Sequence, residues 1–213
     1  MSDENVSVPV LRHLTQAGAS GGWSKLVTEF DLLLPFWPPL SPLPISVSGL
    51  SPNRNHNQDL VCALRELDES ATGNCSCVGI FAADPFINLE AMSRLIKELG
   101  VHTVINFPTI SQYGLHFLRQ LDEVKHGVVS EVLTLARFKE NGLSVGAAVC
   151  RKSDLLYWES IAPSFWLLCP EIEDFKQGHF NPSRMKKAFE EISAATDKTV
   201  YVLGDDNIIK TEI

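Results

Sequence analysis

Several short patterns that mark enzymes and metalloproteins are missing from these 213 residues. There is no C-x-x-C pair, no H-x-x-x-H or H-x-H, no P-loop and no G-x-G-x-x-G turn. The six histidines (His13, His56, His102, His116, His126 and His179) are scattered, so they make no histidine-based metal motif. Positive charge is scarce. Lys plus Arg number 18 against 26 Asp plus Glu, a formal charge of −8, with pI ≈ 5.2. That balance excludes the basic footprint of a nucleic-acid-binding protein and polybasic attraction to a membrane surface. The first residues, Met1-Ser2-Asp3-Glu4, put no basic segment ahead of an apolar run, so no secretory signal is expected. The longest uncharged stretch, Leu32 to Asn53, carries six of the 12 prolines, which excludes a membrane-spanning helix there. The cysteines (Cys62, Cys75, Cys77, Cys150 and Cys169) are odd in number, which reads as reduced, mostly buried thiols in a cytoplasmic protein.

What is present is core material. Hydrophobic residues make up 45% and charged residues 21%, enough for a folded chain. No repeat and no boundary interrupts it, so residues 1–213 read as a single domain. Strands are expected over Val6–Leu14, Asp31–Pro35, Cys75–Ala82, Val101–Phe107, Leu143–Cys150, Phe165–Cys169 and Thr199–Leu203. Helices are expected over Trp23–Glu29, Asn57–Glu69, Asn88–Leu99, Val128–Glu140, Ser153–Ser160 and Pro182–Ala195, and a loop over the Pro-rich residues 35–52. In the helix after Asn88, Met92, Leu95, Ile96 and Leu99 make the apolar stripe and Gly100 ends it. The alternation of seven apolar runs with helices implies an α/β fold of parallel strands covered on both faces, either an open doubly wound sheet or a barrel one unit short. Trp158 and Trp166 read as core or barrel-surface residues. Cys75 and Cys77, two apart in a strand, face opposite sides and cannot share one ion.

Ligands in such folds sit at the carboxyl ends of the strands, and four such places carry polar residues. Gly18-Ala19-Ser20-Gly21-Gly22 offers backbone N–H groups to an anion, although a tight turn explains it as simply. Asp84 follows a strand and suits a hard cation such as Mg²⁺; the alternative is an Asp-Pro turn opener. Asn106 and Thr109 are able to hydrogen-bond a carbonyl or phosphoryl oxygen; an Asx-type turn before Pro108 explains them equally well. Asp122-Glu123 lie on a long connection, where Glu123 is either a general acid or base or part of a solvated helix face.

Taken together these motifs resemble the phosphoenolpyruvate hydrolase-like proteins, a family of TIM-barrel enzymes also described as TIM-barrel signal-transduction proteins. GIFAADPF (79–86) and INFPT (105–109) are similar to the family's G-x-x-x-x-D-P-F and Q-N-F-P-T. GASGG-W-SK (18–25) is similar to G-A-G-T-G-x-S-A-K, SVSGLSPNRNHN (46–57) to S-L-A-G-L-M-P-Y-G-D-A-N, and LDE (121–123) to L-E-E. The resemblance implies a (β/α)8 TIM-barrel-like parallel barrel, here incomplete at about seven strands, acting on a small 2-oxo or phosphoenol acid with Mg²⁺. It implies Asp84 as metal ligand and catalytic carboxylate and Glu123 as acid or base. Ser20, Gly21, Gly22, Asn106 and Thr109 would bind the substrate, a small anionic metabolite.

The departures are concentrated at strand ends. Pro35-Phe36-Trp37-Pro38-Pro39 replaces Y-N-S-G-R. The Asp of G-D-A-N is lost within Arg54–Asn57. Val124–Val128 replaces T-G-M-G-Y, Leu168-Cys169-Pro170 stands where the family has His, and Glu171–His179 replaces a longer glycine-rich loop. At 213 residues the chain falls short of the ~250 of a full barrel, and an open barrel exposes two strand edges. A homo-oligomer is therefore expected, or a degenerate, non-catalytic barrel that binds a ligand or protein.

Overall fold

The structure is a computed structural model, which describes residues 10–14, 23–27, 31–35, 55–66, 75–174 and 182–204. It is an α/β fold. Five strands, β4 (Cys75–Ile80), β5 (Thr103–Asn106), β6 (Ser144–Val149), β7 (Trp166–Leu168) and β8 (Val200–Gly204), form a parallel sheet in chain order. β3 (Asp31–Pro35) adds parallel to β4, and β1 (Val10–Leu14) lies parallel to β8. β2 (Trp23–Val27) runs antiparallel between β1 and β3.

Strand β2 corrects two expectations. A helix was expected over Trp23–Glu29, and the count was seven strands, all parallel. Eight strands are described, one of them antiparallel. The reason is chain length. Only residues 28–30 separate β2 from β3, a hairpin-sized link that cannot hold a parallel crossover. Five residues are also too few for a stable helix, whereas a strand finds ladder partners on both sides.

The described α-helices are α1 (His56–Glu66), α2 (Leu89–Glu98), α3 (Leu115–Glu123), α4 (Val128–Glu140), α5 (Leu155–Trp158) and α6 (Pro182–Ser193). Helix α2 starts where expected, because the Asn88 side chain accepts the Ala91 N–H at 3.0 Å. Helix α3 was not expected, and the Ser153–Ser160 helix shrinks to the single turn α5 between two 3₁₀ turns. The Pro-rich loop 36–52 lies outside the described residues.

Alternation along the strands separates two packing layers. Val78, Ile80, Val104, Val145, Val149, Trp166 and Leu168 pack under the helices with Met92, Ile96, Val132, Leu135, Phe138 and Trp158. Cys77, Ile105, Phe107, Ala148, Cys150, Phe165, Leu167 and Cys169 fill the other face with apolar side chains and thiols. Trp158 and Trp166 are thus core residues. Gly146 is needed there, because a Cβ at that position would stand 2.2 Å from Phe165 Cζ. Since β4 to β7 are parallel, the segments following them gather at one edge of the sheet.

Candidate functional site

Three polar groups occupy that edge. The first ties α1 to the end of β4. Asn57 Oδ1 accepts the Phe81 N–H (3.0 Å), and its Nδ2 donates to Phe81 O and to Asp84 Oδ2, both at 2.9 Å. Asp84 Oδ1 accepts the Phe86 N–H two residues on, which is the Asp-Pro turn-opener geometry. Asp84 is half-buried and lines a cavity of about 390 Å³ between α1 and α2.

The second group is buried between β5, β6 and α4. Asn106 Nδ2 donates to Glu131 Oε2 (2.9 Å) and Ala148 O (3.3 Å), while Asn106 Oδ1 accepts the Ala148 N–H (2.7 Å). Thr109 Oγ1 donates to Glu131 Oε2 (2.8 Å) and accepts the Ser111 N–H, and the Ile110 N–H donates to Glu131 Oε1 (3.0 Å). Burial raises the Glu131 pKa to about 7; the bonds from Ile110, Thr109 and Asn106 act in the opposite sense. Every polar side-chain atom of Asn106 is committed inside the protein, and the Thr109 hydroxyl both donates and accepts.

The third group follows β6 and β7. Arg151 Nη2 donates to Ser111 O and Tyr113 O, and its Nε lies 3.6 Å from Asp154 Oδ1 and 3.2 Å from Glu171 Oε1. Asp154 Oδ2 accepts the Cys150 and Arg151 N–H groups. Arg184 of α6 reaches Glu171 at 2.6 Å and Asp174 at 3.3 Å. Burial pushes the Asp154, Glu171 and Asp174 carboxyls up, opposed by the nearby arginines and by backbone N–H bonds.

The expected residues therefore separate. Asn106 and Thr109 meet, but on Glu131. Asp84 meets Asn57. Glu123 is exposed in the last turn of α3, the solvated face that was its simpler reading. Ser20, Gly21 and Gly22 lie outside the described residues. The segment 18–22 also spells G-x-S-x-G, but the nearest described elements on its two sides are strands, whereas a nucleophile elbow joins a strand to a helix. No three His, Cys, Asp or Glu side chains cluster as ion ligands among the described residues. Both carboxylate oxygens of Asp84 accept N–H donors, Oδ2 from the Asn57 amide and Oδ1 from Phe86. No described helix is long and apolar enough to cross a membrane.

The sequence matches the model of the family described as phosphoenolpyruvate hydrolase-like over residues 44–156, more than half of the chain. The chain belongs to the phosphoenolpyruvate hydrolase-like family. A curated relative, the uncharacterized protein y4oT of Sinorhizobium fredii (strain NBRC 101917 / NGR234), is 29% identical over 102 residues, covering 47% of this chain and 50% of the relative. The chain thus spans about half the length of the curated relative it matches. The matched region contains all three tie points, Asn57–Asp84, Asn106–Thr109–Glu131 and Arg151–Asp154. In this member of the phosphoenolpyruvate hydrolase-like family the motif residue Asp84 is tied to Asn57 of α1, Thr109 to Glu131 of α4, and Asn106 to Glu131 and to Ala148 of β6. Glu131, Arg151 and Glu171 were missed from sequence. Glu131 did leave a signal: it is a lone acid within the apolar stripe of Val128, Val132, Leu135 and Phe138.

Proposed function

We propose that this chain uses a TIM-barrel-like scaffold as a non-catalytic binding module for a small anionic metabolite, the architecture inherited from enzyme-like members of its family. One observation carries the reading. The side chains that resemblance assigns to substrate, Asn106 and Thr109, spend their hydrogen bonds on Glu131, Ala148 and Ser111. A group that must bind substrate in the transition state cannot be held by stronger internal partners without losing that differential interaction. The exposure of Glu123, the acid or base expected from the resemblance, supports the same side.

The enzyme reading, cleavage or hydrolysis of a small 2-oxo or phosphoenol acid with a divalent metal, draws support from family membership. It also draws on Asp84 lining a cavity at a strand end. The two separate in one experiment. The purified protein is titrated with phosphoenolpyruvate, pyruvate and oxaloacetate, with and without Mg²⁺, and followed by melting temperature and product formation. Binding to the native state raises the melting temperature by linkage. A shift without turnover is the expected result. Mg²⁺-dependent turnover abolished by Asp84→Ala would overturn the binding-module reading.

A further inference from the structure

Eight large apolar side chains are exposed among the described residues. Four of them fall on two neighbouring elements, Val129 and Leu133 on α4 and Leu156 and Tyr157 on α5. The other four, Phe86, Leu115, Phe117 and Val124, belong to the loop after β4 and to α3 and its end. Helix α4 already buries one apolar stripe, Val128, Val132, Leu135 and Phe138. Val129 and Leu133, one turn apart, form a second apolar line outside it. Helical spacing gives its direction. Val129, Val132, Ala136 and Lys139 lie along one flank, and Lys139 Nζ donates to Ile161 O at 2.6 Å, in the 3₁₀ turn that follows α5. That flank therefore faces α5. Both segments run from the carboxyl edge to the opposite edge: α4 leads into β6, and α5 follows β6 and returns to Ser164, whose N–H donates to Val145 O at 2.8 Å. Leu156 precedes Ile161 by five residues and Leu133 precedes Lys139 by six, so the two pairs stand side by side on the outer surface.

Val129, Leu133, Leu156 and Tyr157 are 53, 61, 70 and 45% exposed. At roughly 150–250 Å² for a large side chain, they leave about 400 Å² of mostly apolar surface in water. A standard interface takes about 800 Å² from each partner, of which about 57%, or about 450 Å², is non-polar. These four side chains therefore supply nearly the whole apolar share of one such interface. The charges beside them select the occupant. Arg137 and Lys152 stand with Glu140 and Glu159, all exposed, two of each sign on a chain whose formal charge is −8. A basic partner calls for an acidic rim, and an anionic lipid surface for a basic one. A balanced rim suits a second copy of the same face, because across a twofold axis both signs meet both signs without net repulsion. We propose that α4 and α5 form the contact of a symmetric homodimer, with Val129, Leu133, Leu156 and Tyr157 at its apolar centre. The homo-oligomer expected from the sequence is then made through helices rather than through a strand edge. Such a dimer is compatible with a binding module and with an enzyme, and so does not rest on the reading of the site.

Sedimentation velocity of the full chain at about 50 µM tests the dimer, since interfaces of standard size hold at micromolar concentration or below. The expected result is a species of twice the 23.6 kDa of the chain. Leu133→Glu and Leu156→Glu each bring two like charges into the apolar centre, one from each copy, and should return the protein to the 23.6 kDa monomer. Leu115→Glu on α3 replaces an equally exposed apolar residue away from this face and should leave the dimer intact. All three positions are exposed, so the variants keep the fold, which circular dichroism checks. A wild-type monomer at about 50 µM overturns the proposal and leaves the face to a different partner. A dimer that survives both Leu133→Glu and Leu156→Glu, or that Leu115→Glu disrupts equally, overturns it as well.

Discussion

The substitution Glu131→Gln tests the central buried group. The Glu131 pKa is raised from 4.5 to about 7, chiefly because burial penalises the charged form. In the window between those values the folded protein binds more protons than the unfolded chain. Its contribution to stability is therefore fully present below about pH 4.5, falls as pH rises, and is gone above about pH 7. At 1.36 kcal/mol per unit, that loss is about 3 kcal/mol. Glutamine keeps the size and cannot ionise. It opposes one N–H with another, because Oε1 accepts Ile110 while Oε2 accepts Asn106 and Thr109. That mismatch costs about 1–3 kcal/mol and is independent of pH. Urea unfolding of both proteins from about pH 4.5 to about pH 8 isolates the effect, since the other raised carboxyls, Asp154, Glu171 and Asp174, cancel in the difference. The stability of Glu131→Gln relative to wild type should improve by about 3 kcal/mol as pH rises through the window. A difference that stays flat to within about 1 kcal/mol would refute the claim that Glu131 is buried and paired as described.

Arg151→Met leaves Asp154 and Glu171 without their shared cation and should destabilise by about 3–5 kcal/mol, measured by denaturant unfolding. Gly146→Ala drives a methyl into the Phe165 ring and should cost about 1–3 kcal/mol; Phe165→Leu in the same chain should recover part of the loss in thermal melts. Asn88→Ala removes the cap on the Ala91 N–H and should lower stability by about 1 kcal/mol, with amide exchange accelerating at the start of α2.

The legible part of the fold was the part written in periodicity and caps. Val128–Glu140 is the helix its stripe predicts, ended by Asn141-Gly142 with Gly142 at φ 83°. Asn88 caps α2 as its position implies, and strands β4 to β8 sit under the apolar runs. Helix α3 escaped because its nine residues bury Leu118 as their only fully enclosed side chain and leave Leu115 and Phe117 exposed, so no clear stripe shows. Strand β2 escaped because Trp-Ser-Lys-Leu-Val is only five residues long and Ser-Lys breaks its apolar run. For the site, motif residues were visible but their partners were not. Asn106 and Glu131 are 25 apart, Arg151 and Ser111 40 apart. Hydrogen-bond partners at that range follow from the packing of α4 and the loops on the sheet, which no local pattern encodes.

The polar ties at the carboxyl edge form a sequence rather than a set of separate contacts. Asn57 fixes the end of β4. Asn106 joins β5 to β6 through Ala148, and Glu131 holds both Asn106 and the turn at Thr109. The next residues of that turn, Ser111 and Tyr113, receive Arg151 from the end of β6, while Gln112 donates to Pro170 beyond β7 at 3.1 Å. Arg151 and Arg184 then converge on Glu171. The turn 109–113 is thus held from one side by Glu131 and from the other by Arg151, and this shared element should couple two residues that do not touch. Asn106→Ala loosens Glu131 and the start of the turn, and Arg151→Met releases its end. In the double variant the second loss falls on a turn already freed. The two costs should therefore sum to more than the double variant shows, by about 1 kcal/mol, within the range seen for members of one network. Strict additivity in denaturant unfolding would mean that the two groups act as independent clamps. The carboxyl edge would then be a series of local turns rather than one continuous rim.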